Sequence, residues 1–223
     1  MLRFLDIIFS LLGLIVVSPV FFIVIPILRF SGEGEVFYRQ NRVGQSGRLF
    51  SLLKFATMLK SSPSMATGDI TIKNDFRILK TGRFLRASKI NELPQIWNVL
   101  IGDMSLVGPR PMTEKNFSYY SEQAKQAISS VRPGLTGVGS IVFRNEENIL
   151  SGMPDKVKFY QTVIAPYKGQ LEIWYVKNKS ILLYFKVIFF TALAVLSPGS
   201  RLYQSHFRDL DKMPPELLEA MKL

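Results

Sequence analysis

The N-terminal part of the chain is dominated by one long apolar run. Ile7 to Leu28 is apolar apart from Ser10 and Ser18, which gives 22 residues without a charge. At about 1.5 Å of rise per residue, a helix of this length can cross a hydrocarbon layer of about 30 Å. The run is too long for a signal peptide and lacks a small-residue cleavage site. The pattern therefore predicts a membrane-embedded helix.

Two prolines lie within this run and predict a kink. Pro19 and Pro26 each lack a helical N–H and clash with the carbonyl four residues back, whereas the Ser18 hydroxyl can satisfy part of what is lost. A kinked spanning helix and a re-entrant hairpin that returns to the face it entered both remain open. The flanking charges do not decide between them, because Arg3 and Arg29 lie on opposite sides of the run.

A second apolar run, Ile181 to Leu196, is 16 residues long and contains Lys186. It is short for a spanning helix, and a lysine at the centre of one costs about 2.5 to 3.5 kcal/mol. We therefore expect an interfacial or core helix, with Lys186 extended toward lipid headgroups. The segment 201–223 carries no clear motif and is predicted to be a C-terminal tail.

Between the apolar runs, shorter segments predict a mixed α/β domain that is mostly helical. Residues 37–44 have the composition of a strand with a turn, and Phe50 to Met58 that of a second strand or a helix start. From Val36 to Lys60 the chain has five basic residues and no acidic one. This segment is therefore expected to face an anion, either a phosphate or a lipid surface.

A helix is predicted to begin at Asn91. Asn91 is a good N-cap, Glu92 falls in the first turn, and Pro94 is tolerated there because the first helical N–H groups lack partners. Apolar side chains recur at the spacing of one helical face: Leu93, Ile96, Trp97 and Leu100. A first-turn glutamate also occurs in ordinary helices, where it complements the macrodipole. Glu92 alone therefore does not establish a site.

A turn that can bind phosphate follows this helix. Arg110 lies between two prolines that fix the backbone around it and restrict the direction of its guanidinium, which suits bidentate contact with a phosphate. Gly102 and Asp103 precede this turn. Together with Glu92, the stretch indicates an anion site beside a carboxylate.

Composition narrows the class of partner. The 223 residues carry 28 Lys and Arg against 17 Asp and Glu, a net charge of +11. This excess favours nucleic acid, anionic lipid or a phosphorylated substrate. The apolar runs favour lipid and phosphate, and the basic segments lack the interleaved aromatic residues of a nucleic-acid binder. We therefore expect no nucleic acid as partner. The absence of cysteine excludes disulfides and thiolate sites.

The stretch from Ser88 to Pro111, SKINELPQIWNVLIGDMSLVGPRP, resembles the motif of the bacterial sugar transferases known as monotopic phosphoglycosyl transferases. The resemblance implies transfer of a sugar 1-phosphate from a UDP-sugar to polyprenyl (undecaprenyl) phosphate. It further implies release of UMP, a covalent phospho-sugar intermediate and a role in initiating surface polysaccharide or glycoconjugate synthesis. The implied location is the cytoplasmic face of the bacterial inner membrane.

Weaker resemblances to the family extend along the chain in the segments RQNRVG, KFATM, VRPGLTG and LEIWYVKN, and in the pair Arg144-Asn145. Ala56 stands where the family usually has a basic residue. Pro133 and Gly134, within VRPGLTG, also suit the central positions of a type II turn.

The resemblance assigns roles to individual residues. It implies that Lys54, Arg86 and Arg110 bind substrate phosphates and that Glu172 lies in the substrate site, although a helical salt bridge explains Glu172 equally well. It also implies Mg²⁺ bridging the diphosphate. The expected ligands are Glu92 and Asp103.

The pair Ser18-Pro19 resembles the point at which family members carry a broken, re-entrant helix with both ends in the cytoplasm. This gives three parts: a membrane-embedded helix at 1–30, a cytoplasmic and interfacial catalytic domain at 31–200, and the tail at 201–223. Lipids of the inner membrane are then expected partners. The sequence leaves the oligomeric state open.

Asn91 departs from the family, which has an aspartate here as part of an Asp-Glu pair. A carboxamide is neutral, barely nucleophilic and a poor ligand for Mg²⁺. Either Glu92 alone acts as the nucleophile, or the protein is a non-catalytic membrane-bound scaffold or regulator of glycan assembly. The retained phosphate-binding residues around Glu92 favour the enzyme.

Overall fold

The computed structural model describes residues 1–65, 75–197, 207, 210 and 212–221. Its helices are α1 (Leu2–Arg29), α2 (Lys80–Ala87), α3 (Gln95–Ile101), α4 (Glu114–Ser118), α5 (Glu122–Ser129), α6 (Val138–Val142), α7 (Glu146–Ser151), α8 (Lys156–Phe159), α9 (Ala165–Asn178), α10 (Ile181–Leu196) and α11 (Pro215–Ala220). Its strands are β1 (Phe37–Val43), β2 (Leu49–Phe55), β3 (Ser105–Val107) and β4 (Gly134–Thr136). The mostly helical α/β class is confirmed.

The structure corrects the expected break in α1. Helical structure continues through Ser18 and Pro19, and the Ser18 hydroxyl donates a hydrogen bond to the Ile15 carbonyl at 2.8 Å. This bond turns the serine side chain back onto the preceding turn, so that the helix accommodates the proline without losing its helical course. The helix also begins five residues before the apolar run, at Leu2.

Both ends of α1 contact the rest of the protein. Near the start, Arg3 donates hydrogen bonds to carbonyl groups of α3, and Asp6 accepts one from the backbone of β3. Near the end, Val24 and Leu28 are buried against Phe55 of β2. The helix is therefore fastened to the domain at both ends.

The strands β1 and β2 form an antiparallel hairpin, which confirms the first strand and resolves the second segment as a strand. Phe37 pairs with Phe55, and Val43 with Leu49. The connecting turn places Ser46 and Gly47 in the left-handed region, at φ values of 58° and 72°.

The short strands β3 and β4 pair in parallel, with Ser105 opposite Gly134. Around them, α5 to α11 form the main hydrophobic core. Its side chains with no exposed surface are Val138, Ile164, Ala165, Leu171, Val187 and Leu217. Because Leu217 belongs to α11, the described part of the predicted tail packs on this core. The remainder of residues 201–223 lies outside the described residues.

The segment around Glu92 differs from the expected helix. A 3₁₀ turn at Ile90–Glu92 follows Lys89 in the left-handed region, and α3 starts only at Gln95. Asn91 is therefore not an N-cap. The buried face of α3 is also rotated relative to the predicted one: Val99 is fully buried, whereas Trp97 is 50% exposed.

The orientation of α3 follows from a polar contact. The Asn98 side chain accepts a hydrogen bond from the Leu53 N–H at 3.0 Å and donates one to the Ser51 carbonyl at 2.9 Å. These bonds satisfy backbone groups of β2 and turn that side of α3 toward the strand.

A large apolar surface is left uncovered. Among the described residues, α1 is the one helix long and apolar enough to cross a membrane. Exposed apolar side chains of α1, α3 and α10 include Phe4, Leu12, Ile15, Val16, Phe22, Ile23, Trp97, Ile101, Leu182, Phe189 and Leu196. An exposed apolar surface of this kind indicates contact with a membrane or a partner. Lys186 does not extend freely from α10, because its ammonium group lies 5.2 Å from the centre of the Phe207 ring.

The docking of the α1 C-terminal end predicts a stability difference. Replacing Leu28, which is 1% exposed, by alanine is expected to lower the free energy of unfolding by about 2 to 5 kcal/mol, because it leaves a cavity beside Phe55. The control Ile27→Ala, at a position 48% exposed, should cost about 0.5 kcal/mol or less. Denaturant unfolding in nanodiscs measures both. Equal losses for the two variants would show that this end does not dock.

Candidate active site

Glu92 and Arg110 form an ion pair at the centre of the site. Nη2 of Arg110 donates a hydrogen bond to Oε1 of Glu92 at 2.8 Å. Glu92 ends the 3₁₀ turn, and Arg110 lies three residues beyond β3. Their side chains are 18% and 43% exposed. The pair is thus held by backbone on both sides and is open to a ligand.

The surrounding cations keep Glu92 ionised. Burial by itself would raise the pKa of this carboxyl group, but Arg110, Lys54 and the hydrogen bond from Arg110 together lower it to about 2. Glu92 is therefore an anion throughout the physiological pH range. An ionised carboxylate can act as a nucleophile or bind a cation, but it cannot serve as a general acid.

Lys54 has the opposite shift. Burial, together with the neighbouring Arg42 cation, lowers the pKa of its amine to about 7, although Glu92 raises it in part. Lys54 is therefore only partly charged at pH 7. A phosphate bound beside it would favour the protonated amine.

Close backbone contacts hold the turn that carries Arg110. The Gly108 N–H donates to the Thr136 carbonyl at 2.9 Å, and the Gly134 N–H donates to the Pro109 carbonyl at 2.8 Å. A Cβ on Gly134 would lie 2.1 Å from the Gly108 nitrogen. The expected type II turn at Gly134 is wrong: this glycine lies in β4 and does not have a positive φ. Glycine is needed there because two backbones approach closely.

Glu172 lies behind the same turn. It is 4% exposed, and the backbone N–H of Arg110 donates a hydrogen bond to its carboxyl group. Burial raises the pKa of Glu172 to about 7, although Lys168 and the Arg110 N–H lower it in part. A Cβ on Gly139 would lie 2.5 Å from Oε1 of Glu172. The helical salt bridge considered for Glu172 is absent from the ion pairs of the described residues.

Arg86 lines the same cavity but faces a different partner. Its Nη2 donates to Oε1 of Glu147 in α7 at 2.9 Å. The structure therefore brings Lys54, Glu92, Arg86 and Arg110 into one cavity, and within it pairs Arg110, but not Arg86, with Glu92.

Sequence reasoning missed a second ion pair at this site. Lys168 of α9 donates to Glu146 of α7, and its ammonium group lies 4.9 Å from the Phe143 ring centre and 5.6 Å from that of Tyr160. The two charged residues are 22 positions apart, so no local spacing pointed to their contact. The Arg144-Asn145 resemblance was the one signal in this segment.

Asn91 and Asp103 differ in their placement. The Asn91 side chain is 5% exposed, lines the cavity, and has an Oδ1 with no hydrogen-bond partner among the residues described. Asp103 does not line the cavity; its carboxylate accepts a hydrogen bond from Asn98 at 3.3 Å. The structure thus supports Asn91, and not Asp103, as a neighbour of Glu92 in the site.

The side chains at the site fit Mg²⁺ only as a partner of bound phosphates. No cluster of three or more histidine, cysteine, aspartate or glutamate side chains suited to a metal occurs in the described part of the chain. Glu92 offers one carboxylate and Asn91 one buried amide oxygen. Mg²⁺ is commonly held by one or two carboxylates together with substrate phosphates.

The cavity has a polar and an apolar end. Its volume is about 1730 Å³, and its polar wall carries the ionised residues described above. The apolar wall is formed by Phe9 of α1 and by Phe185, Ile188, Ala192 and Val195 of α10. A single ligand-binding space therefore joins a cationic pocket to the exposed apolar helices.

The fold and this cavity define a protein with one apolar helix long enough to cross a membrane and with a carboxylate set among cationic side chains. The family model described as bacterial sugar transferase matches residues 1–198. The chain belongs to this family.

Individual relatives agree with this assignment. The chain is 35% identical to the exopolysaccharide production protein ExoY of Sinorhizobium fredii, over 89% of this chain and 87% of that protein. It is 34% identical to the UDP-glucose:undecaprenyl-phosphate glucose-1-phosphate transferase of Klebsiella pneumoniae, over 83% of this chain and 38% of that protein. It is 32% identical to the undecaprenyl-phosphate galactose phosphotransferase of Salmonella typhimurium, over 87% and 40%. The chain spans less than half of these two enzymes.

The pKa of Lys54 predicts a pH dependence for anion binding. Because the amine is protonated below about pH 7 and neutral above it, the affinity for UDP should fall by about ten-fold between pH 7 and pH 9. Lys54→Arg stays charged over this range and should largely remove the dependence. Titration calorimetry measures the affinities.

The matched control is Glu172→Gln, because Glu172 also ionises near pH 7 and adds negative charge as the pH rises. This variant should retain the part of the pH dependence that comes from Lys54. The same pH profile in wild type and Lys54→Arg would show that Lys54 does not titrate near the bound diphosphate.

Proposed function

We propose that this protein transfers a sugar 1-phosphate from a UDP-sugar to polyprenyl phosphate and releases UMP. The observation that carries the proposal is the ionised Glu92 in one cavity with Lys54, Arg86 and Arg110, continuous with an apolar wall. Cations suit a diphosphate, and an apolar wall suits a lipid. The substrates named for the Klebsiella and Salmonella relatives are of these two kinds.

The first step forms a covalent intermediate. A Glu92 oxygen bonds to the β-phosphorus of the UDP-sugar, and the bond from that phosphorus to the oxygen bridging it to the α-phosphorus breaks. UMP leaves with the electron pair. Arg110 uses one of its five N–H donors for Glu92, so the others remain for phosphate oxygens.

The second step releases the product. An oxygen of polyprenyl phosphate attacks the phosphorus held by Glu92, and the bond between Glu92 and phosphorus breaks. The products are the free carboxylate and a polyprenyl diphosphate sugar. Since one carboxylate serves both steps, the reaction follows ping-pong kinetics. We assign the product to the start of a surface polysaccharide or glycoconjugate, which accords with the name of the Sinorhizobium relative.

Mg²⁺ is proposed as the cofactor. When bound, it neutralises charge on the diphosphate and favours departure of UMP. On the protein side, Glu92 is the residue that would hold it, because Asn91 offers only a weakly binding amide oxygen and Asp103 does not line the cavity.

Asn91 also supports a second candidate function. A carboxamide beside Glu92 is consistent with a membrane-bound homologue that binds the UDP-sugar without turnover and acts as a scaffold. The ionised state of Glu92 favours the enzyme, because the nucleophile is present without an aspartate at position 91.

The placement of α1 supports a course in which both ends of this unbroken helix lie on the same side of the membrane. A straight helix of its 28 residues is about 42 Å long, yet both of its ends contact the same domain. A helix that projected from the domain across the bilayer would leave one end free. We therefore propose that both ends remain on the side of the UDP-sugar, which is the cytoplasmic face of the inner membrane.

The proposed nucleophile gives a direct test. Glu92→Gln should abolish UMP release from a UDP-sugar, since the carboxamide cannot attack phosphorus. Wild type should release about one equivalent of UMP without lipid and turn over when polyprenyl phosphate is added. A coupled assay for UMP follows both phases. Glu122→Gln, on the exposed face of α5, is the matched control and should behave as wild type.

Two results would contradict the proposal. Unchanged turnover in Glu92→Gln would remove this residue from the mechanism. UDP-sugar binding without UMP release in wild type, together with turnover gained by Asn91→Asp, would establish the scaffold instead.

The apolar wall gives a second test. Ala192→Trp should fill the space between α1 and α10 and raise the KM for polyprenyl phosphate by about ten-fold, while leaving the lipid-independent release of UMP unchanged. Leu196→Trp, exposed on the same helix outside the cavity, is the control and should change neither. An unchanged KM in Ala192→Trp would place the lipid elsewhere.

A further inference from the structure

The first turns of α1 are joined to the end of the helix that follows Glu92. Arg3 donates from Nη1 to the Val99 carbonyl at 2.6 Å and from Nη2 to the Leu100 carbonyl at 2.7 Å. These carbonyls lie in the last turn of α3, where helical partners run out. A cation there satisfies them and complements the helix dipole.

One turn later, α1 is joined to the strand that precedes Arg110. Oδ1 of Asp6 accepts hydrogen bonds from the Leu106 N–H at 3.0 Å, the Ser105 hydroxyl at 3.0 Å and the Tyr184 hydroxyl at 2.9 Å. Asp6 is 2% exposed. Hydrogen bonds to a charged group are about twice as strong as neutral ones, so this is a firm attachment of β3.

These two attachments lie on either side of the short connection from α3 to β3. One segment runs from Glu92 through α3, and the other runs from β3 to Arg110. At the ends away from α1, Glu92 and Arg110 form their ion pair. The segment from Glu92 to Arg110 is therefore held by α1 in its middle and by the ion pair at its ends. A shift of α3 against β3 would change the distance between the carboxylate and the guanidinium.

We infer that Arg3 and Asp6 form a positioning bracket, through which the membrane helix sets Glu92 against Arg110 for reaction. Neither residue lines the cavity, so each acts through the segment it holds. The inference rests on the proposed function for its effect on catalysis. Independently of turnover, the bracket orders residues 103–112.

The test compares Asp6→Leu with Asp6→Asn in the full chain in nanodiscs. The leucine removes the acceptor, whereas the asparagine keeps a side-chain oxygen that can accept hydrogen bonds from the same donors. Asp6→Leu should lower kcat by about ten-fold or more, since small misplacements of reacting groups are costly. Asp6→Asn should restore kcat to within about two-fold of wild type.

The control is Ser10→Ala, on the same helix. Ser10 is fully buried, but its hydroxyl donates to the Ile7 carbonyl and so stays within α1. This variant should retain wild-type kcat.

A double-mutant cycle with Arg110→Ala separates positioning from general stability. If Asp6 acts through Arg110, adding Asp6→Leu to Arg110→Ala should cost less than about two-fold more in kcat. Multiplication of the two separate losses would overturn the inference, because it would make Asp6 independent of Arg110. Failure of Asp6→Asn to restore kcat would overturn it as well.

Hydrogen exchange decides the structural claim even if no UMP is released. In Asp6→Leu, the amides of residues 103–112 should exchange at least about ten-fold faster, with α5 and α9 unchanged and Asp6→Asn like wild type. Unchanged exchange in residues 103–112, or faster exchange throughout the domain, would overturn the bracket. Absence of UMP release from wild type with this local exchange pattern would instead refute the proposed function and leave the bracket as a structural element.

Discussion

The ion pair between Glu92 and Arg110 is the interaction on which the rest of the site depends. A half-buried carboxylate surrounded by cations is ionised at all physiological pH values, whereas burial lowers the pKa of the neighbouring Lys54 amine. The pair is stable only while the 3₁₀ turn and the turn beyond β3 stay in register. This explains why so much backbone contact is concentrated around Gly108 and Gly134.

The long apolar helix α1 is part of this arrangement and not a separate anchor. Its polar first turns bond to α3 and β3, and its last turns pack on β2, so the apolar surface and the cationic cavity belong to one body. Under the proposed function, a phosphate from water and a lipid from the membrane meet at Glu92. The cavity has a cationic wall that suits a phosphate and an apolar wall that suits a lipid.

The sequence predicted the features that depend on residues close to one another along the chain. The second apolar run predicted α10 with the bounds that the structure shows. The basic and acidic residues predicted for the site line one cavity, apart from Asp103. Contacts between distant segments could not be read from spacing. Lys168 of α9 meets Glu146 at the start of α7 across 22 positions of the chain, and Asp103 accepts a hydrogen bond from Asn98, whose side chain also satisfies β2. From the sequence, Arg3 is only a flanking charge and Asp6 carries no prediction, yet their partners lie about 100 positions away.

The most direct test of the account is the mass of the protein after incubation with a UDP-sugar in the absence of lipid. The account predicts an increase equal to one sugar phosphate, located by peptide mapping on Glu92 and lost when polyprenyl phosphate is added. An unmodified protein that has nevertheless released UMP, or a phospho-sugar on another residue, would contradict it.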